Sequence, residues 1–186
     1  MNRLPQIESV RASGEFKPGL AAIRRQFGVV ANAIRVLGNS PAAMNGFLCL
    51  HAALSGGVLP PRVRAQMALA VSEINGCAYC LSAYSVSGRR AGLSDAEIGA
   101  ARFASGSDHK SEAVHDLVWA ILMDKGQIDD MQFASARNAG LTDEEIVEVV
   151  ANIALTTFTN FVNEVATTVI DFPEVTPGVI AHEADH

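Results

Sequence analysis

The sequence has no long apolar run, no basic tract and no second cysteine pair, and each absence removes a class of function. Its uninterrupted apolar stretches, such as residues 67–71, are only a handful of residues long. A bilayer-spanning helix needs about 18 or more, so no membrane segment is expected. The opening residues Met1-Asn2-Arg3-Leu4-Pro5-Gln6 lead into no apolar stretch of the signal-peptide kind. The expected compartment is the cytoplasm. The 14 Lys and Arg are scattered among 20 Asp and Glu, for a net charge of −6. With no basic patch, nothing points to a nucleic-acid partner. Cysteine is scarce too, and three is an odd number, which excludes a fully paired framework.

One Cys-x-x-Cys stands alone, at Cys77 and Cys80. A structural zinc site needs four ligands, usually from two such pairs. The nearest supplements, Cys49 and His51, point to opposite sides of an expected helix. No metal or other cofactor is expected. Cys49 lies in Phe47-Leu48-Cys49-Leu50 and reads as a small core hydrophobe.

What is present is an apolar content of 49% in 186 residues, enough for one domain to bury roughly 70% of its unfolded surface. The reading is a single domain over residues 1–186. A lead-in occupies residues 1–17, before Pro18-Gly19, and residues 174–186 form a tail containing His182 and His186. So high an apolar share also implies that some helix faces are covered by another copy of the chain.

No segment alternates convincingly as a strand, whereas helix signals recur, and the expected class is all-α. Ser40-Pro41 places an N-cap before a first-turn proline, with Gly56-Gly57 at the far end. Pro60-Pro61 opens the next helix, which Asn75-Gly76 interrupts. A further helix begins at about Cys77. Val114, Leu117, Val118, Ile121 and Leu122 form one helical stripe, near whose polar start lie His109 and His115. Residues 146–162 are rich in β-branched side chains, but length and an N-terminal cap decide for helix. Apolar residues on nearly every face of it predict the buried central one. Ala91-Gly92-Leu93-Ser94-Asp95-Ala96-Glu97-Ile98 is echoed by Ala139-Gly140-Leu141-Thr142-Asp143-Glu144-Glu145-Ile146. Each copy ends one helix at glycine and opens another with a capping box. The echo is read as an internally repeated helical unit.

The chemistry concentrates in Ser72-Glu73-Ile74-Asn75-Gly76-Cys77-Ala78-Tyr79-Cys80-Leu81-Ser82-Ala83-Tyr84. A helix starting near Gly76 puts Cys77 in its first turn, where free N–H groups and the dipole favour a thiolate. Residues three apart share a face, so Cys77 and Cys80 can meet as a disulfide. A thiolate with a second thiol beside it is the minimal kit for peroxide reduction or disulfide exchange. Inert burial of both cysteines is the plainer alternative.

Pro60-Pro61-Arg62, then residues 68–83 through Cys77-Ala78-Tyr79-Cys80, followed by Ala91-Gly92-Leu93-Ser94, resemble the signature helices of the AhpD-like alkylhydroperoxidase and carboxymuconolactone decarboxylase family. Asn160-Phe161-Val162-Asn163 and Ile170-Asp171-Phe172-Pro173 resemble the C-terminal stretch of its peroxidase-related branch. The resemblance runs from about residue 17 to 175. It implies an all-α AhpD-like bundle, assembled as a homo-oligomer, that reduces small hydroperoxides and is recharged by an external thiol or dithiol. On that pattern Cys80 attacks the peroxide and Cys77 resolves the sulfenic acid.

Three positions depart from the pattern. The histidine expected four residues after the second cysteine is Tyr84, the glutamate expected twelve before the first is Ala65, and Glu164 follows the downstream Asn-x-x-Asn where a histidine is common. All three touch the proton relay. Glu73, Glu164, Tyr84 and, from a neighbouring helix, His51 are the candidates for a rebuilt one. Otherwise Glu73 faces solvent at a helix end and His51 is a satisfied core or surface histidine. The rival functions are a non-catalytic or redox-sensing helical oligomer, and a decarboxylase-like enzyme acting on a small acid or lactone.

Overall fold

A computed structural model of the chain describes residues 2–7, 30–103 and 108–178. The described residues form eight helices and no strand: α1 (Asn32–Leu37), α2 (Pro41–Ser55), α3 (Pro61–Ile74), α4 (Ala78–Arg90), α5 (Asp95–Ala101), α6 (His109–Met123), α7 (Asp130–Asn138) and α8 (Asp143–Ala166). The all-α reading is what the structure has. The lead-in before Pro18-Gly19 falls mostly, and His182 and His186 wholly, outside the described residues.

The helix ends are where the sequence places them, for local reasons. Ser40 accepts from the Ala43 N–H at the start of α2, satisfying one of the donors that a first turn leaves open. Ser94 with Glu97 and Thr142 with Glu145 both close as full capping boxes. The glycines ahead of them, Gly92 and Gly140, share a φ of +88°, a left-handed conformation that ends the preceding helix.

The centre of the molecule is α3, which buries every residue from 65 to 73 and packs against α4, α5, α6 and α8. This corrects the expectation for residues 146–162. Helix α8 packs against five helices, yet Val147, Val150, Phe158, Phe161 and Val165 remain exposed along it. It is the one described helix long and apolar enough to cross a membrane. Its opposite face carries the buried Asn152, Asn160 and Asn163, so it serves the core on one side and leaves an apolar stripe on the other.

Cys49 is exposed, not core. The buried residues of α2 are Met44, Phe47, Leu48 and Leu54, and Cys49 lies about 100° round the helix from Leu48. His115 is also misplaced by the sequence reading: it is fully buried, at 0% exposure, in the middle of α6.

Candidate active site

Cys77 and Cys80 are joined as a disulfide with their Cα atoms 5.3 Å apart. The turn Asn75-Gly76, with Gly76 at φ +67°, separates α3 from α4 and sets up the pair. Cys77 is the N-cap of α4, one position ahead of the first turn expected for it, and its sulfur accepts from the Cys80 N–H at 3.3 Å. Its own N–H donates to the Ser72 carbonyl at 2.9 Å. Cys80 therefore sits in the first turn of α4, where the helix end favours negative charge.

Helix α8 supplies the polar groups. Asn163 Nδ2 donates to Cys80 Sγ at 3.3 Å, while its Oδ1 is buried and unpartnered among the described residues. One turn earlier, Asn160 accepts from Asn75 Nδ2 at 2.9 Å and donates to Ser72 Oγ at 3.2 Å. Asn160 thus fixes the turn that carries the cysteines, and Asn163 touches the sulfur itself. Neither was among the candidate site residues. The available signal was two asparagines three apart on an otherwise apolar helix, a spacing that puts both on one face.

The disulfide is sealed: Cys77 is 0% and Cys80 2% exposed. Ile170 and Phe172 pack over the cluster formed with Tyr79 and Ala83. Tyr79, between the cysteines, donates to Asp171 Oδ1 at 2.7 Å and accepts from the Ala33 N–H at 3.0 Å. Burial first, and the neighbouring carboxylate of Asp171, push its pKa up. The same C-terminal segment continues along α4, with Val175 N–H on Ser82 Oγ at 2.9 Å. The described part of the expected tail is thus a strap anchored by side chains.

Glu73 belongs to that strap. It is 2% exposed, and its carboxylate pairs with Arg102 Nε at 2.6 Å and accepts from the Gly178 N–H. Arg102 in turn donates to the Thr176 carbonyl at 2.8 Å. Glu73 does not face solvent, and both its oxygens are engaged away from the sulfurs. Glu164 points outward on α8, and partial desolvation raises its carboxyl above the ordinary value.

Tyr84 is where the sequence reading placed it, one turn beyond Cys80. Its hydroxyl bonds to Thr159 and Thr156, and burial pushes its pKa up, so it stays protonated. Tyr84 separates two cavities. On one side, a pocket of about 40 Å³ is bordered by Cys80, Tyr84, Thr159 and Asn163, with apolar side chains of α1 opposite. Cys77 does not reach it. On the other side, a cleft of about 420 Å³ is lined by His51, Arg64, Ala65, Tyr84 and Arg90, among others. Burial, with the Arg64 charge adding to it, pulls His51 from 6.5 down to about 4. The structure thus brings Tyr84 to Cys80, places His51 across the cleft behind it, and takes Glu73 and Glu164 elsewhere.

Residues 41–122 match the model of the carboxymuconolactone decarboxylase family. No curated protein matches the sequence. Among solved structures, the debrominase Bmp8 in complex with 2,3,4-tribromopyrrole is similar at a TM-score of 0.78 and 20% identity, over 92% of this chain and 93% of that one. An uncharacterised peroxidase-related protein from Ralstonia eutropha JMP134, described as an alkylhydroperoxidase AhpD core, gives 0.78 and 19%, over 91% and 92%. A peroxidase-related protein from Silicibacter sp. TM1040 gives 0.72 and 18%, over 91% and 94%. At such identities the likeness shows a shared fold.

Proposed function

We propose, from the match of residues 41–122 to the carboxymuconolactone decarboxylase family and the site geometry, a thiol-dependent oxidoreductase that reduces small hydroperoxides. One observation carries the reading: of the two sulfurs only Cys80 borders the small pocket, and Asn163 donates to that sulfur. The pocket has room for about one water-sized group, which suits the O–O end of a hydroperoxide. A donor aimed at the sulfur favours its thiolate over its thiol.

In the proposed cycle the Cys80 thiolate attacks the distal oxygen of ROOH. The O–O bond breaks, the alkoxide leaves and takes a proton as ROH, and Cys80 becomes a sulfenic acid. Cys77 attacks that sulfur, water leaves, and the observed disulfide forms. An external thiol or dithiol returns two electrons by exchange. The α4 N-terminus and Asn163 hold the charge on Cys80, while the packed Phe172 keeps bulk water away.

The test is a single turnover. Reduced protein mixed with one equivalent of an organic hydroperoxide should lose two hydrogens by mass spectrometry, with the cross-link mapped to Cys77 and Cys80 and one equivalent of alcohol formed. Cys80→Ser should form no alcohol. Alcohol formation that persists in Cys80→Ser, or oxidation that goes first to the exposed Cys49, rejects the assignment.

The same proposal extends to assembly. The stripe Val147, Val150, Phe158, Phe161 and Val165 recurs at helical spacing along α8, the pattern of a face covered by a second copy. Light scattering at micromolar protein should give a multiple of the chain mass, and Phe161→Lys should shift it toward the monomer. A monomer mass for the unmodified chain overturns this part.

A further inference from the structure

Asn163 carries an atom that the thiol chemistry so far leaves unused. The residue is 3% exposed and borders the small pocket together with Cys80 and Tyr84. Its Nδ2 donates to Cys80 Sγ, but its Oδ1 is buried with no partner among the described residues. An interior carbonyl left unpaired is costly, and a folded chain keeps one where something else supplies the donor. The described walls of the pocket supply none. The Tyr79 hydroxyl donates to Asp171 Oδ1 at 2.7 Å and accepts from the Ala33 N–H at 3.0 Å. The Tyr84 hydroxyl bonds to Thr159 and Thr156, and Thr159 Oγ1 donates to the Thr156 carbonyl at 2.8 Å. The rest of the described wall is apolar, including Ile34, Leu37, Phe47 and Ala83. An ionised Cys80 adds no donor either, because a thiolate only accepts.

We propose that Asn163 Oδ1 receives the O–H of the incoming hydroperoxide and so places its distal oxygen against Cys80 Sγ. This rests on the peroxide-reducing reading and deepens it. One amide then holds both reactants, with Nδ2 on the sulfur and Oδ1 on the oxygen that the sulfur attacks. In ROOH the hydrogen sits on the distal oxygen, the atom the thiolate attacks. As the S–O bond forms and the O–O bond breaks, the electron pair leaves on RO⁻, which takes a proton from solvent as ROH. The distal oxygen keeps its own hydrogen throughout, so Cys80–S–O–H retains the bond to Oδ1. The contact thus lasts from encounter through the transition state, where holding the reacting atoms in line has most effect. It also sets a substrate requirement. Hydrogen peroxide and alkyl hydroperoxides carry the O–H that Oδ1 needs, and dialkyl peroxides do not.

The experiment compares two reagents on the reduced full chain by rapid mixing. One is hydrogen peroxide, and the other is methyl methanethiosulfonate, a small thiol reagent with no hydrogen-bond donor. Mass spectrometry assigns each reaction to Cys80. Both rates are followed with rising pH to their plateau, where Cys80 is fully ionised and any effect of Nδ2 on the thiolate fraction is gone. Asn163→Leu, close in shape but without either polar atom, should lower the hydrogen peroxide plateau about tenfold, as for one lost hydrogen bond in the transition state. Its thiosulfonate plateau should fall far less. Asn163→Ala should show the same split, and it decides if the leucine variant does not give a cooperative melting curve. An equal fall with both reagents would mean that Asn163 acts only through the sulfur, and would overturn the proposal. An unchanged hydrogen peroxide plateau would overturn it too. Unmodified protein that reacts with the thiosulfonate but not with hydrogen peroxide rejects the peroxide reading itself, and this proposal with it.

Discussion

Replacing Ala65 by glutamate and Tyr84 by histidine together should accelerate oxidation of Cys80 by hydroperoxide about a hundredfold or more at pH 7, within the ~10²–10⁴ typical of a positioned general base. Tyr84 cannot serve as that base as it stands. Its hydroxyl is bonded to Thr156 and Thr159 and burial raises its pKa, so it holds its proton and the ring fills space. The site then relies on the α4 N-terminus, worth roughly 0.3–1 kcal/mol, together with the Asn163 amide.

Tyr84→His alone restores an imidazole without a carboxylate to fix its tautomer, and about tenfold is expected for it. Ala65 belongs to the apolar cluster against which Tyr84 packs, so a glutamate there reaches the new imidazole directly. The measurement is the single-turnover rate of disulfide closure against pH, with melting curves to establish folding. A folded double variant no faster than Tyr84→His rejects the idea that the missing relay limits the rate.

The second large effect concerns stability. His115 is fully buried, neither ring nitrogen has a hydrogen-bond partner among the described residues, and burial lowers its pKa from 6.5 to about 4. The unfolded chain therefore takes up a proton near pH 6.5 that the folded chain refuses until about pH 4. Wherever the unfolded state binds more protons, stability rises with pH. The contribution of His115 is present above about pH 6.5 and drains away as pH falls toward 4. At about 1.36 kcal/mol per pKa unit, the loss is roughly 3 kcal/mol.

Carboxylates titrate over part of the same range, so the comparison is made with His115→Leu. Urea denaturation at pH 7 and 4.5 should show a smaller acid loss in the variant, the difference being about 2 kcal/mol. The variant should also be more stable at pH 7 by about 1–3 kcal/mol, since an unpaired buried polar group is removed. Equal acid losses in both proteins would mean that His115 takes up its proton alike in the folded and the unfolded chain, which rejects this account.

Local chemistry wrote itself plainly in the sequence. Capping residues act over three positions, so Ser40, Ser94 and Thr142 could be read as helix starts from their immediate neighbours. The Cys77–Cys80 pair was legible for the same reason: three residues of helix bring two side chains together whatever surrounds them. Tyr84, one turn on, shares their face and lines the pocket against Cys80.

Everything that depends on what packs opposite was settled by the tertiary structure. Glu73 looks like a helix-end carboxylate until Arg102 and Gly178 arrive, from 29 and 105 residues away. His115 and Cys49 exchange their expected environments because burial depends on which face of α6 or α2 meets a neighbour, and apolar pattern alone did not specify it. Asn163 reaches Cys80 across 83 residues. The cleft behind Tyr84 exists because α2, α3, α4 and α8 converge on it, with Arg64 and Arg90 from separate helices. Short-range geometry is encoded by a few adjacent residues. Which distant groups share a buried volume is decided by the packing of the whole chain.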